Sequence, residues 1–359
     1  MAKIKRMFFG GNTANGFYSF HDNIMNVMSL KGKKFFILKG MPGGGKSSLM
    51  KKIGEYVTGK GYDVIFYHCP SDPESLDSIL INELGIAIAD GTAPHVMDPI
   101  YPGLREKIVD LSQFIDSQKL KESEDIIISA KEENKRAYYR AFSYLRAAKN
   151  IYELIAKSNS LGMDFNKLNI VYLDMKEDIF SQKPQNMDQE LFKEMHAFSA
   201  ANTPEGVVDY TDTLLDGVER IYFIDGEIGT GKSTLIKKIA DECKIRGYSI
   251  EVYHNSTFPE KIETLIIKNL NTCITSNNNA TRFPHSHVDL NRFFNEKVKN
   301  KSDYEMYDLL LQKAIGSLAD ARRNHEIIEK IYIPTIDYDR VNEAREKILE
   351  EIISFMDFK

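Results

Sequence analysis

The sequence lacks any apolar run long enough to cross a bilayer, so no transmembrane helix is expected. Its first residues, MAKIKRMFFGGN, are basic, but the apolar stretch ends too soon for the core of a signal peptide. Cysteine is scarce: Cys69, Cys243 and Cys273 are widely spaced, odd in number and form no CxxC, which predicts free thiols in a reducing compartment and no zinc site. A cytoplasmic protein with no membrane partner is therefore expected. There is no excess of basic residues either. Lys plus Arg total 47 against 52 for Asp plus Glu, a net charge of −5 with no block of one sign, which gives no support for a nucleic-acid partner. Nor is the chain poor in apolar residues: 42% hydrophobic and 28% charged over 359 residues is the composition of a globular protein of about two domains.

What the chain does contain is itself, twice. GMPGGGKSSLMKKI starts at Gly40 and GEIGTGKSTLIKKI at Gly226, an offset of 186. The same offset relates Gly61-Tyr62 to Gly247-Tyr248, Tyr67-His68 to Tyr253-His254 and Pro73 to Pro259. Upstream, Asn12-Thr13-x-x-Gly16 matches Asn202-Thr203-x-x-Gly206 at an offset of 190, followed by Phe20 and Asp22 in one copy and Tyr210 and Asp212 in the other. Downstream, Met163-Asp164-Phe165 matches Ile336-Asp337-Tyr338, and Ala148 and Glu153 match Ala321 and Glu326, at an offset of 173. The drift in offset places insertions and deletions in loops, where they cost least. Two copies of one unit follow, 1–190 and 191–359, with the boundary expected in the polar stretch SQKPQNMDQE around Pro184 and Asn186.

Each copy reads as α/β. FFILK (35–39) and IYFID (221–225) are buried strands ending at glycine-rich turns, and apolar residues Leu49, Met50, Ile53 and Val57 then recur at helical spacing. DVIFYH and SIEVYH predict second strands, GIAIAD (85–90) a third and KIVDL (107–111) a possible fourth; strands alternating with helices predict a parallel, three-layer sheet. Charged helical arms are expected over about 112–181 and 291–359, with Asp164 and Asp337 as N-caps of their last helices. Such an arm either packs on its core or serves as a lever or partner-binding element.

The pattern GxxxxGK[ST] occurs in both copies. In the first it comprises Gly40, Gly43, Gly44, Gly45, Lys46, Ser47 and Ser48; in the second, Gly226, Gly229, Gly231, Lys232, Ser233 and Thr234. Glycines let the backbone curl so that N–H groups face phosphate oxygens, and the following helix N-terminus adds its dipole. The lysine reaches the β- and γ-phosphates, and the hydroxyls of Ser47 and Ser233 are positioned for Mg²⁺. ATP and Mg²⁺ are thus the expected cofactors. The carboxylate such chemistry needs on a neighbouring strand is Asp90 in the first copy, with Asp72 a second candidate for metal or attacking-group duty. At the same offset the second copy carries Ser276 and Phe258, so the first copy is expected to be catalytic and the second degenerate, unless Asp225 or Glu227 compensates.

Other residues carry less. No Glu follows Asp90, which disfavours a strong motor-like hydrolase. His95 is close enough in sequence to act at a γ-phosphate, though a loop histidine is more often structural. Paired His68 and His254 suggest an architectural role. Arg105, Arg282 and Arg292 are possible arginine fingers. The aromatic-flanked Asn-Thr-x-x-Gly reads as a β-hairpin turn supplying core rings, with adenine stacking as the alternative.

The duplicated P-loop, the Asn-Thr-x-x-Gly entry, YHCPSDP, DGTAPHVMDP and the later Met-Asp-Phe resemble a family of bacterial tandem P-loop ATPases. The resemblance spans nearly the whole chain and implies a P-loop fold and ATP binding. YHNSTFP and TSNNNATRFPH depart from that pattern in the second copy. Three classes stay open: a slow ATPase passing nucleotide state to a protein partner through its arms, a phosphotransferase with Asp72 or Asp90 orienting an acceptor hydroxyl, and a nucleotide sensor that binds without turnover.

Overall fold

The computed structural model describes residues 2–20, 34–94, 96–184 and 193–356; Asp22, His95 and Asn186 lie outside them. The first copy runs β1 (Ile4–Met7), β2 (Gly10–Thr13), β3 (Gly16–Ser19), β4 (Lys34–Lys39), α1 (Lys46–Gly59), β5 (Val64–Cys69), β6 (Asp72–Ile81), β7 (Ile86–Asp90) and β8 (Glu106–Asp110). Helices α2 (Ser117–Lys121), α3 (Glu124–Ser160) and α4 (Phe165–Phe180) follow. The second copy repeats the plan: β9 (Glu194–Phe198), β10 (Ala200–Thr203), β11 (Gly206–Asp209), α5 (Thr211–Leu215), β12 (Arg220–Asp225), α6 (Lys232–Ile245), β13 (Ile250–His254), β14 (Ile262–Ile267), β15 (Thr272–Thr275) and β16 (Ser286–Asp289). Its arm is α7 (Lys301–Tyr332) and α8 (Tyr338–Met356).

Each copy forms a six-stranded sheet in the same order, β1-β5-β6-β7-β4-β8 and β9-β13-β14-β15-β12-β16. The sheets are mixed, which corrects the expectation of parallel ones: β6 and β14 run antiparallel to both neighbours. The cause is local. Only Pro70 and Ser71 separate β5 from β6, and a parallel return needs a crossover of about a dozen residues. Pro73 and the irregular pattern of DPESLDSILI hid that strand from a reading by periodicity.

Alternation along each strand decides the layers. Phe36 and Leu38 face α1, whereas Phe35 and Ile37 face the opposite way, into a core shared with Ile221 and Phe223 of the second sheet. Helices α1 and α8 therefore cover the outer face of the first sheet and α6 and α4 that of the second. The long helices α3 and α7 pack on each other, and the other faces of the sheets meet in one continuous core. This replaces the expected three-layer domain. Phe8, Phe9 and Phe20, flanking the β2–β3 hairpin, lie in that core, with Phe9 stacked on Tyr67 at 3.6 Å between centroids. The hairpin reading of Asn-Thr-x-x-Gly thus holds: Gly16 takes φ 92°, and Thr13 Oγ1 donates to its carbonyl at 2.8 Å.

The copies meet reciprocally. Phe8 and Phe198 exchange backbone hydrogen bonds at 2.9 and 2.8 Å, and the Asn12 and Asn202 amides each donate to the other's carbonyl at 3.0 Å. Such self-complementary contacts are those of a twofold interface, here within one chain. The arms obey the same symmetry by exchanging places. Ile348 and Ile352 of α8 are buried among Phe36, Leu49 and Ile53 of the first copy, and Leu168, Met175 and Ile179 of α4 among Tyr222, Ile236 and Ile239 of the second. An arm folded on its own core is not what forms; each last helix covers the other copy's core. Asp164 does cap α4, accepting from the Lys167 amide at 3.2 Å, and Asp337 accepts from Asp339 and Arg340 amides at the start of α8.

Candidate functional site

Both glycine-rich turns leave a central strand and enter a helix, as their sequence requires. In the first, Gly43 and Gly45 take φ 70° and 80°, a conformation that side chains rarely adopt, and α1 begins at Lys46. Gly40 lies against Leu111, and Gly44 against the Met41 carbonyl, so a side chain at Gly44 would crowd the turn. Lys46 Nζ donates to Met41 O at 2.9 Å and stands 3.5 Å from Asp90 Oδ2. Asp90 reaches this point because β7 pairs parallel with β4 in the register Leu38 to Asp90. Its other oxygen accepts from the Thr92 amide and hydroxyl at 2.8 and 2.6 Å, which fixes the carboxylate. Ser47 Oγ accepts from the Leu76 amide at 3.0 Å, tying the helix start to β6. Ser48 is the next residue of α1.

Asp72 is engaged elsewhere. It opens β6, takes a 2.5 Å hydrogen bond from Ser75, and pairs with Arg322 of α7 at 2.5 Å. The structure therefore brings Lys46, Ser47 and Asp90 together, while Asp72 is committed to the second copy's arm. Arg322, which joins Glu326 as well, was not singled out by sequence because its helix gives no sign of which surface it meets.

The second turn has the same backbone, with Gly229 and Gly231 at φ 84° and 99° and Ser233 Oγ accepting from Ile262 N at 3.1 Å. Gly226 opens it, crowded by Thr230 and Leu290, and Thr234 follows Ser233 into α6. Lys232 Nζ donates to the carbonyls of Gly226 and, at 3.3 Å, Glu227. Burial lowers its pKa, opposed by Asp225, Glu227 and Glu263. Pairing of Phe223 with Thr275 matches that of Ile37 with Ala89, so Ser276 does occupy Asp90's place. Phe258, in Asp72's place, is buried against Tyr152 and Tyr307. Asp225 faces His287 at 3.3 Å, and Glu227 is held by Lys299 at 2.7 Å and Tyr304 at 3.0 Å. The carboxylate that sequence reasoning missed here is Glu263 on β14. Asn255 and Asn277 donate to it at 3.1 and 3.3 Å, and burial, with Asp209 beside it, pushes its pKa up to about 7.

The exchanged arms reach both turns. Tyr338 Oη donates to Gly43 O at 2.9 Å, and Ile333 lies where a side chain on Gly43 would go, 2.8 Å away. Equivalently, Ala156 of α3 lies against Gly229, and the buried Asn159 amide donates to Ile228 O at 2.8 Å. Val341 and Leu168, matching positions of α8 and α4, lie against Gly45 and Gly231.

The remaining candidates have other partners in the structure. Arg105 and Arg292 lie over Tyr101 and Phe293 at 5.1 and 5.2 Å, and Arg282 ends a 3-10 turn, Asn278–Arg282. His68 donates from Nδ1 to Pro73 O at 2.7 Å, and burial lowers its pKa and that of His254 to about 4, so both rings are neutral and structural. Among the described residues no group of three or more His, Cys, Asp or Glu is placed to hold a metal, and no helix is long and apolar enough to cross a membrane. Comparison with protein-family models, curated proteins and solved structures finds no match.

Proposed function

We propose that the chain is a tandem P-loop protein that binds ATP, a slow Mg²⁺-dependent ATPase whose first copy is catalytic and whose second binds nucleotide without turning it over. The observation that carries this reading is the Lys46–Asp90 pair at 3.5 Å beside Ser47, against Ser276 at the matching place in the second copy. The residues fit a bound triphosphate. Left-handed glycines curl each turn, and each lysine ammonium is held over its own turn by that turn's carbonyls. Ser47 and Asp90 would hold Mg²⁺, which supplies charge stabilisation at the transferring phosphoryl group. Lys46 neutralises phosphate oxygens, Ser47 and Asp90 offer their oxygens to the metal rather than to the phosphates, and Thr92 keeps the Asp90 carboxylate aimed. With so few protein carboxylates gathered, the phosphates themselves must provide much of the metal's coordination, as is usual for Mg²⁺.

A phosphotransferase is less well supported, since Asp72, one of its two acceptor-orienting candidates, is held by Arg322. The resemblance to bacterial tandem P-loop ATPases, and a protein partner on the arms, belong to the same proposal. The test is phosphate release from ATP with Mg²⁺. Lys46→Ala and Asp90→Asn should each lower it by roughly 10²- to 10³-fold, the loss typical for one transition-state donor, while Lys232→Ala retains most of it. Binding without release in the wild type would sink the ATPase reading in favour of a sensor. Loss with Lys232→Ala alone would reverse the assignment of the two copies.

A further inference from the structure

We infer that each nucleotide is shared between the copies, its phosphates on the glycine-rich turn of one and its base stacked on an aromatic ring from the other copy's arm: Phe165 for the second turn and Tyr338 for the first. The inference rests on the P-loop reading and names the element that would take the base.

The two rings occupy equivalent positions of the repeat and equivalent positions in space. A Cβ on Gly231 would stand 4.0 Å from Phe165 Cε1, and one on Gly45 would stand 3.9 Å from Tyr338 Cε1. Both glycines immediately precede the lysine. Neither ring is buried by this packing: Phe165 is 44% and Tyr338 39% exposed, although the next turn of each helix buries an apolar residue, Leu168 and Val341. A single exposed ring is ordinary. Two, related by an internal duplication and each laid against the last glycine of a phosphate-cradling turn, share a placement that a core role does not require.

The second site adds a cavity. A shallow, open depression of about 620 Å³ lies between residues 161–167, the turn after α3 and the start of α4, and residues 292–295 of the other copy. That volume falls in the range of small-molecule sites. Phe165 belongs to its wall and is also the ring nearest to Gly231, so one residue links the depression to the glycine-rich turn. Asn166 and Asn295 offer amide donors and acceptors to a base edge, and Arg292 adds a positive charge. The chemistry is that of a nucleoside triphosphate: an aromatic face for stacking, polar groups at the rim, and cationic groups toward the phosphates. Stacking accepts any base and favours the larger purine face.

The test compares ATP with inorganic tripolyphosphate, which has the phosphates and no base, by calorimetric titration of the full chain. Lys46→Ala isolates the second site, and in that background Phe165→Ala should weaken ATP by roughly 5- to 150-fold while leaving tripolyphosphate unchanged. Phe165→Tyr should restore ATP. Retained tripolyphosphate binding shows that the turn is still folded. In Lys232→Ala, Tyr338→Ala and Tyr338→Phe should behave in the same way at the first site. Unchanged ATP affinity in both alanine variants would overturn the inference, as would equal loss of both ligands, which would make the rings mere props of the turns. Equal wild-type affinity for ATP and tripolyphosphate would overturn it while leaving the phosphate reading intact. A wild type that binds neither would bring down that reading and this inference together.

Discussion

At the scale of single residues, the two sites differ by one carboxylate. Asp90 ends β7 in the first copy and Ser276 holds that position in the second, whereas both copies carry a carboxylate on the antiparallel strand, Asp77 on β6 and Glu263 on β14, the latter acting on Lys232. Because burial and Asp209 raise the Glu263 pKa to about 7, its folded-state pKa lies above its unfolded value. A carboxyl group so shifted favours the fold at low pH, and this contribution is lost as pH rises from about 4.5 to about 7. Glu263→Gln should therefore gain stability over wild type at pH 8, on the order of 1–3 kcal/mol, and little at pH 4.5. Denaturant titrations at the two pH values check this; an equal difference at both would contradict the shift. His68 and His254 go the other way: with pKa values near 4 in the fold against about 6.5 unfolded, they favour the fold as pH rises through that window, and they do so in wild type and Glu263→Gln alike, so the difference between the two proteins reports Glu263.

At the scale of elements, the glycine-rich turns are held from outside by helices belonging to the other copy. Gly229 combines φ 84° with the backbone of Ala156 pressed against its α-carbon, whereas Gly61, at φ 92°, has open space around it. Alanine at either position suffers the left-handed strain, about 1–2 kcal/mol. Only Gly229→Ala must also displace α3. It should cost at least about 1 kcal/mol more than Gly61→Ala in chemical denaturation; equal costs would mean that the arm does not hold the turn. Each helix of the pair α3 and α7 thus touches the glycine-rich turn of the opposite copy, α3 at Gly229 through Ala156 and α7 at Gly43 through the Glu329 carbonyl.

At the scale of the whole molecule, the exchange of α4 and α8 makes each copy dependent on the other. Ile348 and Ile352 contribute about 1.5–3 kcal/mol each by burial in the first copy's core, and that contribution disappears when the chain is cut between the copies. The central core, shared by both sheets, is opened by the same cut. Fragments 1–190 and 191–359 are expected to lack cooperative melting alone and to recover it on mixing, as a non-covalent pair. A cooperative transition in 1–190 alone would count against the exchange. Within the intact chain, Ile352→Ala should cost about 2–5 kcal/mol, the range for a large-to-small change in a packed core.

Local chemistry made much of this legible in the sequence. Strands β4, β7 and β12 announced themselves as apolar runs, the turns as glycines before Lys-Ser, and Asp164 as a cap, because each depends on residues close in the chain. The repeat was equally plain, since an offset needs no structure to be read. The reversed direction of β6 was within reach too, from the two residues between Cys69 and Asp72, but Pro73 obscured the strand. Tertiary structure alone decided which core each arm covers. An amphipathic helix has the same pattern whichever sheet it packs on, and duplicated sheets present nearly the same apolar face to either arm. The partners Arg322 for Asp72, Tyr338 for Gly43 and Glu263 for Lys232 follow from that choice and from strand order. They join residues far apart in the chain, and such contacts leave no mark in local periodicity or spacing.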